Sequence, residues 1–564
     1  MIKIASKKHF FINNKTPLLV AGIFLFINLI QAYFTPLLND ESYYWLYSNN
    51  LQWGYFDHPP FIAILIKFST QIFPLEIGVR FINVLLGAFT IFIWCKLIEQ
   101  ETKAILNSKL TFLLLGGSLF INLYTFHAIP DTPLLFFEAL FFWLYSKYLK
   151  NDQWKTVIPL SIVIALLIYT KYHGVLIVFF TLLSNLKILK RKSAYLIFAL
   201  VLALFTPHIY WLFENDFQTI RFQLFERTAS GFKLKNILSY VGEQLGLTGP
   251  IFILLFSILY KTKNQFQKTL KYNTIGVFIF FLINSFRVNI NAYWTVIAWF
   301  PMLFLCYLYF TENKPKKSYL GLLIFNITLV IFLRFAFLFE WNKIAHFNDR
   351  NLKVMAATLK KEANGDQLVF LNTFIEPAAY MFYENEKCFS INNVFYKRTQ
   401  FNYLDTYENL VQNKPVLLVA KHPLNKVAKK IDIPNGKTYY VNRIENFKSY
   451  YTTINVKSSD LYGIKKSGEN LTVNYTVDAD LSSEEKHTIA NDSEIYLQLN
   501  LIHTETKKFY SYKTSFTILA KDPTHLEIKL PTEKGKYNCV FSINRKNYNY
   551  LNGFNSLTYS IDIE

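Results

Sequence analysis

The chain has 564 residues, of which 52% are hydrophobic, 18% aromatic and only 17% charged. With 55 Phe and 37 Tyr this excludes an ordinary soluble protein and fits a multi-span membrane protein whose average is diluted by a soluble part. The formal net charge of +20 does not signal nucleic acid, because the cations sit largely in short segments between apolar runs, as the positive-inside bias predicts.

The first apolar run covers residues 17–38 and is flanked by Lys3, Lys7, Lys8 and Lys15 without a small-residue cleavage site, so it reads as a first span and not a removed signal. Directly after it comes NDESYYWLYSNNLQWGYFDHPP, residues 39–60. Two acids at the mouth of a membrane helix, under an aromatic-rich loop, suggest a site acting on something part lipid and part polar. The apolar piece from Phe61 to Phe73 is too short to span and is expected at the interface or re-entering the loop. Further apolar segments lie near 76–98, 108–127, 132–149, 155–170, 172–187, 193–213, 236–260, 272–286, 292–310 and 318–339, which predicts about eleven spans on the ~20-residue criterion.

Alternate connections carry the cations: Lys96/Lys103/Lys109, Lys147/Lys150/Lys155, Lys187/Lys190/Arg191/Lys192, Lys261/Lys263/Lys268/Lys271 and Lys314/Lys316/Lys317. That side is expected to be cytoplasmic. The exoplasmic side then receives the loop at Asp40, His127–Asp131, Lys171–Gly174, Glu214–Lys235 and Phe286–Asn291, and everything after Glu340. From there the composition is that of a soluble part. QLVFLNTF, EPAAYMFYEN and KPVLLVAKHP read as strand, helix and strand of a small α/β unit; NLTVNYTVDAD, EIYLQLNLIHT, HLEIKLP and YNCVFSIN read as antiparallel strands of a β-sandwich. The expected fold class is a mainly α-helical polytopic membrane protein with these soluble domains. Its divisions are 1–340, with a first exoplasmic loop 39–75, then 341–445 and 446–564. The four cysteines give neither metal spacing nor a disulfide framework; Cys95 and Cys306 lie in apolar runs, and Cys388 and Cys539 could pair.

The exoplasmic loops gather carboxylates (Asp40, Glu41, Asp57, Asp131, Glu214, Asp216), cations (Arg80, Lys171, Arg221, Arg227, Arg287) and His58, His127, His173 and His208. Cations on the side that positive-inside depletes need a reason, and anionic lipid headgroups supply one; salt bridges or snorkelling are the bland alternative for any single residue.

DESYYWLYSNNLQWGYFDHPPF strongly resembles the first exoplasmic loop of the dolichyl-phosphate-mannose–protein mannosyltransferase superfamily, the bacterial aminoarabinose-transferase-like branch above all. Further matches follow in order: Glu76/Arg80, PDTPLLFF at Pro130–Phe137, TKYHG at Thr170–Gly174, PHIYWLFENDF at Pro207–Phe217 and RVNINAYW at Arg287–Trp294. The resemblance covers about the first 300 residues. It implies a GT-C glycosyltransferase that passes a sugar from a polyprenyl-phosphate donor to a glycolipid, polysaccharide or protein acceptor outside the cytoplasmic membrane, with its soluble domains on the same periplasmic or exoplasmic side. The lipid phosphate departs with cationic help, the attacking hydroxyl needs a carboxylate base, and single displacement inverts the anomeric centre.

By motif position Asp40 is the base. Glu41, its chain neighbour, points elsewhere and orients a neighbour or the acceptor. Asp131 is weighed equally as a helix N-cap and as an acceptor or base-assisting group. Lys171 and Tyr172 are the first candidates for the donor phosphate and Arg80 the second; Arg287 stands with Arg221 and Arg227 as interchangeable further candidates. Tyr55, Asp57, His58, Glu76, His208 and Glu214 belong to the same motifs as loop- and site-shaping residues, His58 in a structural role before two prolines. Ile77 departs from the branch, which has a lysine there, and that weakens lipid A as the acceptor. No cofactor is assigned; Glu76 has metal-site potential in that branch, but no partner histidine is evident, so a divalent metal stays open. The alternative reading is a transporter or flippase of a lipid-linked saccharide, with Asn83, Glu138, Glu243 and Arg334 as intramembrane polar groups. A third makes the C-terminal half a glycan-binding module on a membrane anchor.

Overall fold

A computed structural model describes residues 14–223, 232–248, 251–259, 261–313, 315–339, 351–425, 428–434, 436–479, 481–516, 518 and 524–564. These form two compact units, one made of the described residues within 14–221 and 232–339, the other of 222–223 and those within 351–564.

The first unit is helical. Its helices are α1 Lys15–Phe34, α2 Asn39–Asn49, α3 Phe61–Ile72, α4 Leu75–Thr102, α5 Ser108–Gly116, α6 Leu119–Tyr124, α7 Asp131–Lys150 and α8 Trp154–Thr170. They continue as α9 Gly174–Ser184, α10 Lys192–Glu214, α11 Gln218–Arg221, α12 Leu234–Thr248, α13 Ile251–Ile258, α14 Gln265–Ser285, α15 Trp299–Glu312 and α16 Lys317–Leu338. Among the described residues, five stretches are long and apolar enough to cross a membrane: α1, α4, α10, α16, and α15 with the 3-10 turn Ala292–Ala298 that leads into it.

Two expected spans are broken. Segment 108–127 divides at Gly117–Ser118, where the Asn122 amide donates to the carbonyls of Leu115 (3.1 Å), Gly116 (3.1 Å) and Ser118 (2.8 Å) and so satisfies groups the break releases. Segment 236–260 is split between α12 and α13. The short α3 buries Ile62, Ala63, Ile66 and Ser69 on one face. The unit's core joins Trp94, Phe142, Trp299, Phe300 and Phe304 from α4, α7 and α15.

In the second unit the strands are β1 Gln367–Leu371, β2 Phe389–Ile391, β3 Lys414–Ala420, β4 Lys429–Asp432 and β5 Thr438–Phe447, then β6 Ile454–Lys457, β7 Tyr462–Lys465, β8 Asn470–Ala479 and β9 Ile495–His503. The last four are β10 Phe509–Ser515, β11 Thr524–Lys529, β12 Gly535–Arg545 and β13 Tyr559–Ile563. The first sheet runs β2-β1-β3-β5-β4, with β1 parallel to β2 and β3 and the rest antiparallel. The sheets β10-β9-β12-β13-β7 and β11-β8-β6 share a core of Val473, Tyr475, Leu497, Leu499, Phe541 and Ile561. The expected all-antiparallel sandwich needs one correction: β13 pairs with β7 in parallel. All four cysteines are buried and free, so Cys388 and Cys539 do not pair; Cys539 is held in the β12 core and Cys388 faces the Pro377 carbonyl at 3.4 Å.

Candidate active site

The first loop hangs on a buried guanidinium. Arg80 is 0% exposed and lies just inside α4. Its Nε donates to Glu41 Oε1 (2.8 Å), Nη1 to the carbonyls of Ala32 (3.1 Å) and Thr35 (2.5 Å), and Nη2 to the Pro36 carbonyl (2.8 Å) and Glu41 Oε2. These bonds engage all five N–H donors of an arginine. The Ala32 carbonyl is one that the end of α1 leaves without a helical partner, and those of Thr35 and Pro36 follow directly after it, so Arg80 caps one helix while anchoring the next.

Glu41 also accepts from the Leu38 N–H and the Ala128 N–H, both at 2.9 Å. It therefore joins the start of α2 to the turn before α7. Burial works against its charge, but the Arg80 guanidinium and its hydrogen bonds outweigh that and hold the carboxyl at about 2. His127, in the same turn, is driven down to about 4 by burial, aided by the Arg80 and Arg334 charges against that of Glu41.

Asp131 opens α7 but makes no capping bond. Its two carboxylate oxygens instead accept from Lys171 Nζ at 2.7 and 2.9 Å, with both residues buried. The same ammonium lies 5.0 Å from the centre of the Tyr293 ring, which stacks with Tyr124. Asp40 and Asp131 both act electrostatically on Tyr124 and Tyr293, so they border one polar region. Tyr44 belongs there too: burial pushes its hydroxyl well above the usual range, and the charges of Asp40 and Asp57 add to the shift. Asp40 itself is exposed, in the first turn of α2.

Hydrogen bonds close the aromatic loop. Tyr47 donates to Asp57 at 2.5 Å, Tyr44 meets His58 Nε2 at 3.0 Å, and Tyr55 donates to the carbonyls of Tyr47 and Asn50 at 3.0 Å. The Tyr47 and Tyr55 rings stack 4.1 Å apart. From α10, His208 Nδ1 contacts the Trp53 carbonyl at 2.5 Å, which requires the proton on that nitrogen; Nε2 then accepts from Tyr172 at 2.8 Å. Thr219 of α11 donates to the Tyr55 carbonyl at 3.0 Å.

The structure thus brings together Asp40, Glu41, Arg80, Asp131 and Lys171, and ties Tyr55, Asp57, His58, Tyr172 and His208 into the loop. It corrects Arg80 as a phosphate ligand, since every donor is engaged, and Asp131 as a capping residue. The hydroxyl proton of Tyr172 is committed to His208. Glu214 is exposed and bonds Tyr210 on its own helix, Glu76 is partly exposed, and Arg287 is exposed in the turn after α14. Arg227 lies outside the described residues. Among the described residues, no three His, Cys, Asp or Glu side chains group as metal ligands, Glu76 included. Tyr124 and Tyr293 were missed; Tyr293 lay within the quoted RVNINAYW, whereas nothing in the sequence marked Tyr124.

A family model described as Dolichyl-phosphate-mannose-protein mannosyltransferase matches residues 57–211, which hold Arg80, Asp131, Lys171 and His208. The chain is 22% identical over 315 residues to the lipid A galacturonosyltransferase RgtD of Rhizobium johnstonii, covering 53% of this chain and 66% of that one, just under two thirds. Its fold is similar to ArnT from Cupriavidus metallidurans. Against the form bound to undecaprenyl phosphate the TM-score is 0.56 at 11% identity, covering 75% of this chain and 97% of that one. Against the apo form the TM-score is 0.55 at 10% identity, with the same coverage.

Proposed function

We propose that this chain is a membrane glycosyltransferase of the GT-C class, in the dolichyl-phosphate-mannose–protein mannosyltransferase superfamily and on its ArnT-like branch, a reading supported by the family model over residues 57–211, the similarity to RgtD and the ArnT-like fold. It takes a sugar from a polyprenyl-phosphate donor and passes it to a glycolipid, with polysaccharide or protein as the other acceptor classes. The reaction takes place on the exoplasmic face of the cytoplasmic membrane. The RgtD name supports a lipid A-like acceptor, and the undecaprenyl phosphate bound to ArnT supports the donor class.

One observation carries the mechanism. Of the four acids at the loop, Glu41 and Asp131 are locked in buried ion pairs and Asp57 accepts from Tyr47, whereas Asp40 is exposed. Asp40 is the base: it takes the proton of the acceptor hydroxyl as the oxygen attacks the anomeric carbon. The bond from that carbon to the phosphate oxygen breaks, and the phosphate leaves with its electron pair. Lys171 meets the developing charge, with Arg287 as a further cation, and Asp131 holds the ammonium in place. A retaining route would need a second carboxylate as nucleophile, and Glu41, Asp57 and Asp131 are each engaged by another side chain, so the displacement inverts. The transferred group is a hexose or a pentose.

A transporter of lipid-linked saccharide is the second reading, favoured by Glu138: it is 0% exposed, two turns into α7, and neither oxygen has a hydrogen-bond partner among the described residues. The test is to purify wild type and Asp40→Asn, check both by thermal melt, and follow release of polyprenyl phosphate from a panel of lipid-phosphate sugars with membrane extract as acceptor. Turnover of one donor, lost in Asp40→Asn with binding retained, supports the enzyme and its base. Binding without cleavage in wild type favours transport, and equal turnover in both proteins discards Asp40 as base.

A further inference from the structure

Asp40 and Asp131 act electrostatically on three tyrosines, Tyr44, Tyr124 and Tyr293, which sets all three around one polar region. Two of the hydroxyls are engaged: Tyr44 meets His58 Nε2 at 3.0 Å, and Tyr293 accepts from Asn291 Nδ2 at 3.1 Å. Tyr124 is partly exposed, and among the described residues its hydroxyl has no hydrogen-bond partner.

The hydroxyl is unused, yet the residue that carries it is firmly held. The Tyr124 ring lies 6.1 Å from that of Tyr293 at an interplanar angle of 26°, and the Tyr293 ring in turn has Lys171 Nζ 5.0 Å from its centre. On one side of Tyr124 in the chain, Asn122 accepts from Arg334 through its Oδ1 at 3.1 Å and its carbonyl at 2.9 Å. On the other, Asn28 Nδ2 donates to Thr125 Oγ1 at 3.0 Å and to its carbonyl at 3.3 Å. Helix α4 passes so close that a Cβ at Gly87 would lie 2.0 Å from the Thr125 carbonyl oxygen. One guanidinium and two amides thus fix the end of the six-residue α6, so Tyr124 is positioned before a ligand arrives.

A ring that served packing alone could be a phenylalanine. The hydroxyl both donates and accepts, as a sugar hydroxyl does, whereas a phosphate oxygen finds its better partner in the Lys171 ammonium. With the donor phosphate at Lys171 and the acceptor oxygen at Asp40, the sugar lies between them, in the region that Tyr124 borders.

We propose that the Tyr124 hydroxyl hydrogen-bonds a ring hydroxyl of the sugar carried by the donor lipid, which makes Tyr124 a specificity-determining residue. The inference rests on the transferase reading for its ligand and adds the group that reads the sugar and not the phosphate.

The experiment compares full-length wild type and Tyr124→Phe in detergent. It measures binding of bare polyprenyl phosphate and of a panel of polyprenyl-phosphate hexoses and pentoses, and release of polyprenyl phosphate with membrane extract as acceptor. Wild type is expected to bind one glycosylated lipid more tightly than the bare lipid. Tyr124→Phe should bind that lipid about tenfold more weakly, bind the bare lipid equally well, and melt no lower than wild type, since the hydroxyl it loses is unpaired. A deoxy version of that sugar lacking the contacted hydroxyl should bind both proteins alike. No loss on the glycosylated lipid, an equal loss on the bare lipid, or a wild type that prefers no glycosylated lipid overturns the proposal. A clearly lower midpoint also overturns it, by showing the hydroxyl bonded within the protein. If wild type binds a glycosylated lipid with the tenfold gap present but releases no polyprenyl phosphate, the transferase reading falls and the sugar contact stands.

Discussion

Glu41 and Arg80, 39 residues apart in the chain, form a buried two-pronged ion pair that fixes where α2 begins relative to α4. Removing either partner leaves the other charged and buried, so Arg80→Met and Glu41→Ala are each expected to cost about 3–5 kcal/mol. The pH dependence follows from the sign of the shift. The native carboxyl, at about 2, lies below its ordinary 4.5, so the pair stabilises the fold above about 4.5 and loses that contribution as pH falls toward 2. The stake is about 3 kcal/mol. Thermal midpoints measured from pH 7 to pH 3 should fall for wild type and show a flatter acid limb for Glu41→Gln.

Lys171 and Asp131 couple in the same manner but face the proposed donor. Each single substitution, Lys171→Met or Asp131→Asn, strands a buried partner, and the double variant is expected to be more stable than the sum of the two single losses implies. Binding separates the roles. Lys171→Met should bind polyprenyl phosphate at least about tenfold more weakly, roughly 1.4 kcal/mol. Asp131→Asn, which releases the ammonium from its carboxylate, should bind it at least as tightly as wild type. Titration of both variants with polyprenyl phosphate checks the pair; unchanged binding in Lys171→Met would remove Lys171 as the phosphate group's partner, and weakened binding in Asp131→Asn would show that positioning of the ammonium outweighs its release.

Much of this was legible in the chain because periodicity and local motifs carry it. The apolar runs mark the helices, and QLVFL, KPVLLVA and NLTVNYTVDA mark strands by alternation or by a buried β-branched run. The first-loop motif marks Asp40 and Glu41. Contacts between distant segments were not legible. Nothing local says that Arg80 turns inward to the carbonyls of Ala32, Thr35 and Pro36, so its role changed from phosphate ligand to anchor once the fold was known. The break at Gly117–Ser118 was hidden for a similar reason. The run is apolar throughout, and the Asn122 amide that makes the break tolerable reads in sequence as a stray polar residue. The parallel pairing of β7 with β13 joins strands about a hundred residues apart, beyond any turn signal.

The four thiols are expected to be inert. Burial pushes Cys388 and Cys539 well above the usual thiol range, and each sits in a separate part of the second unit's packing. A reductant should leave the thermal midpoint unchanged, and thiol reagents should label these two cysteines only as the chain unfolds. A fall in the midpoint on reduction would show a disulfide and contradict the packing.

Gly54 tests whether the loop's seat on α10 matters to turnover. A Cβ there would lie 2.3 Å from Cε3 of Trp211 and 2.5 Å from Cζ3, closer than any side chain tolerates. Trp211 stacks at 14° on His208, the residue that holds the Trp53 carbonyl, so a methyl group at position 54 displaces both contacts. Gly54→Ala should cost about 1–3 kcal/mol through overpacking. It should lower turnover by more than that loss implies, on the order of 10²-fold, because Asp40 is carried by the same loop and small misplacements of reacting groups are expensive. Trp211→Leu in the Gly54→Ala background should restore stability by relieving the clash. If it restores turnover as well, space alone was limiting. If stability returns while turnover stays low, the Trp211 face is what holds the loop in its working position.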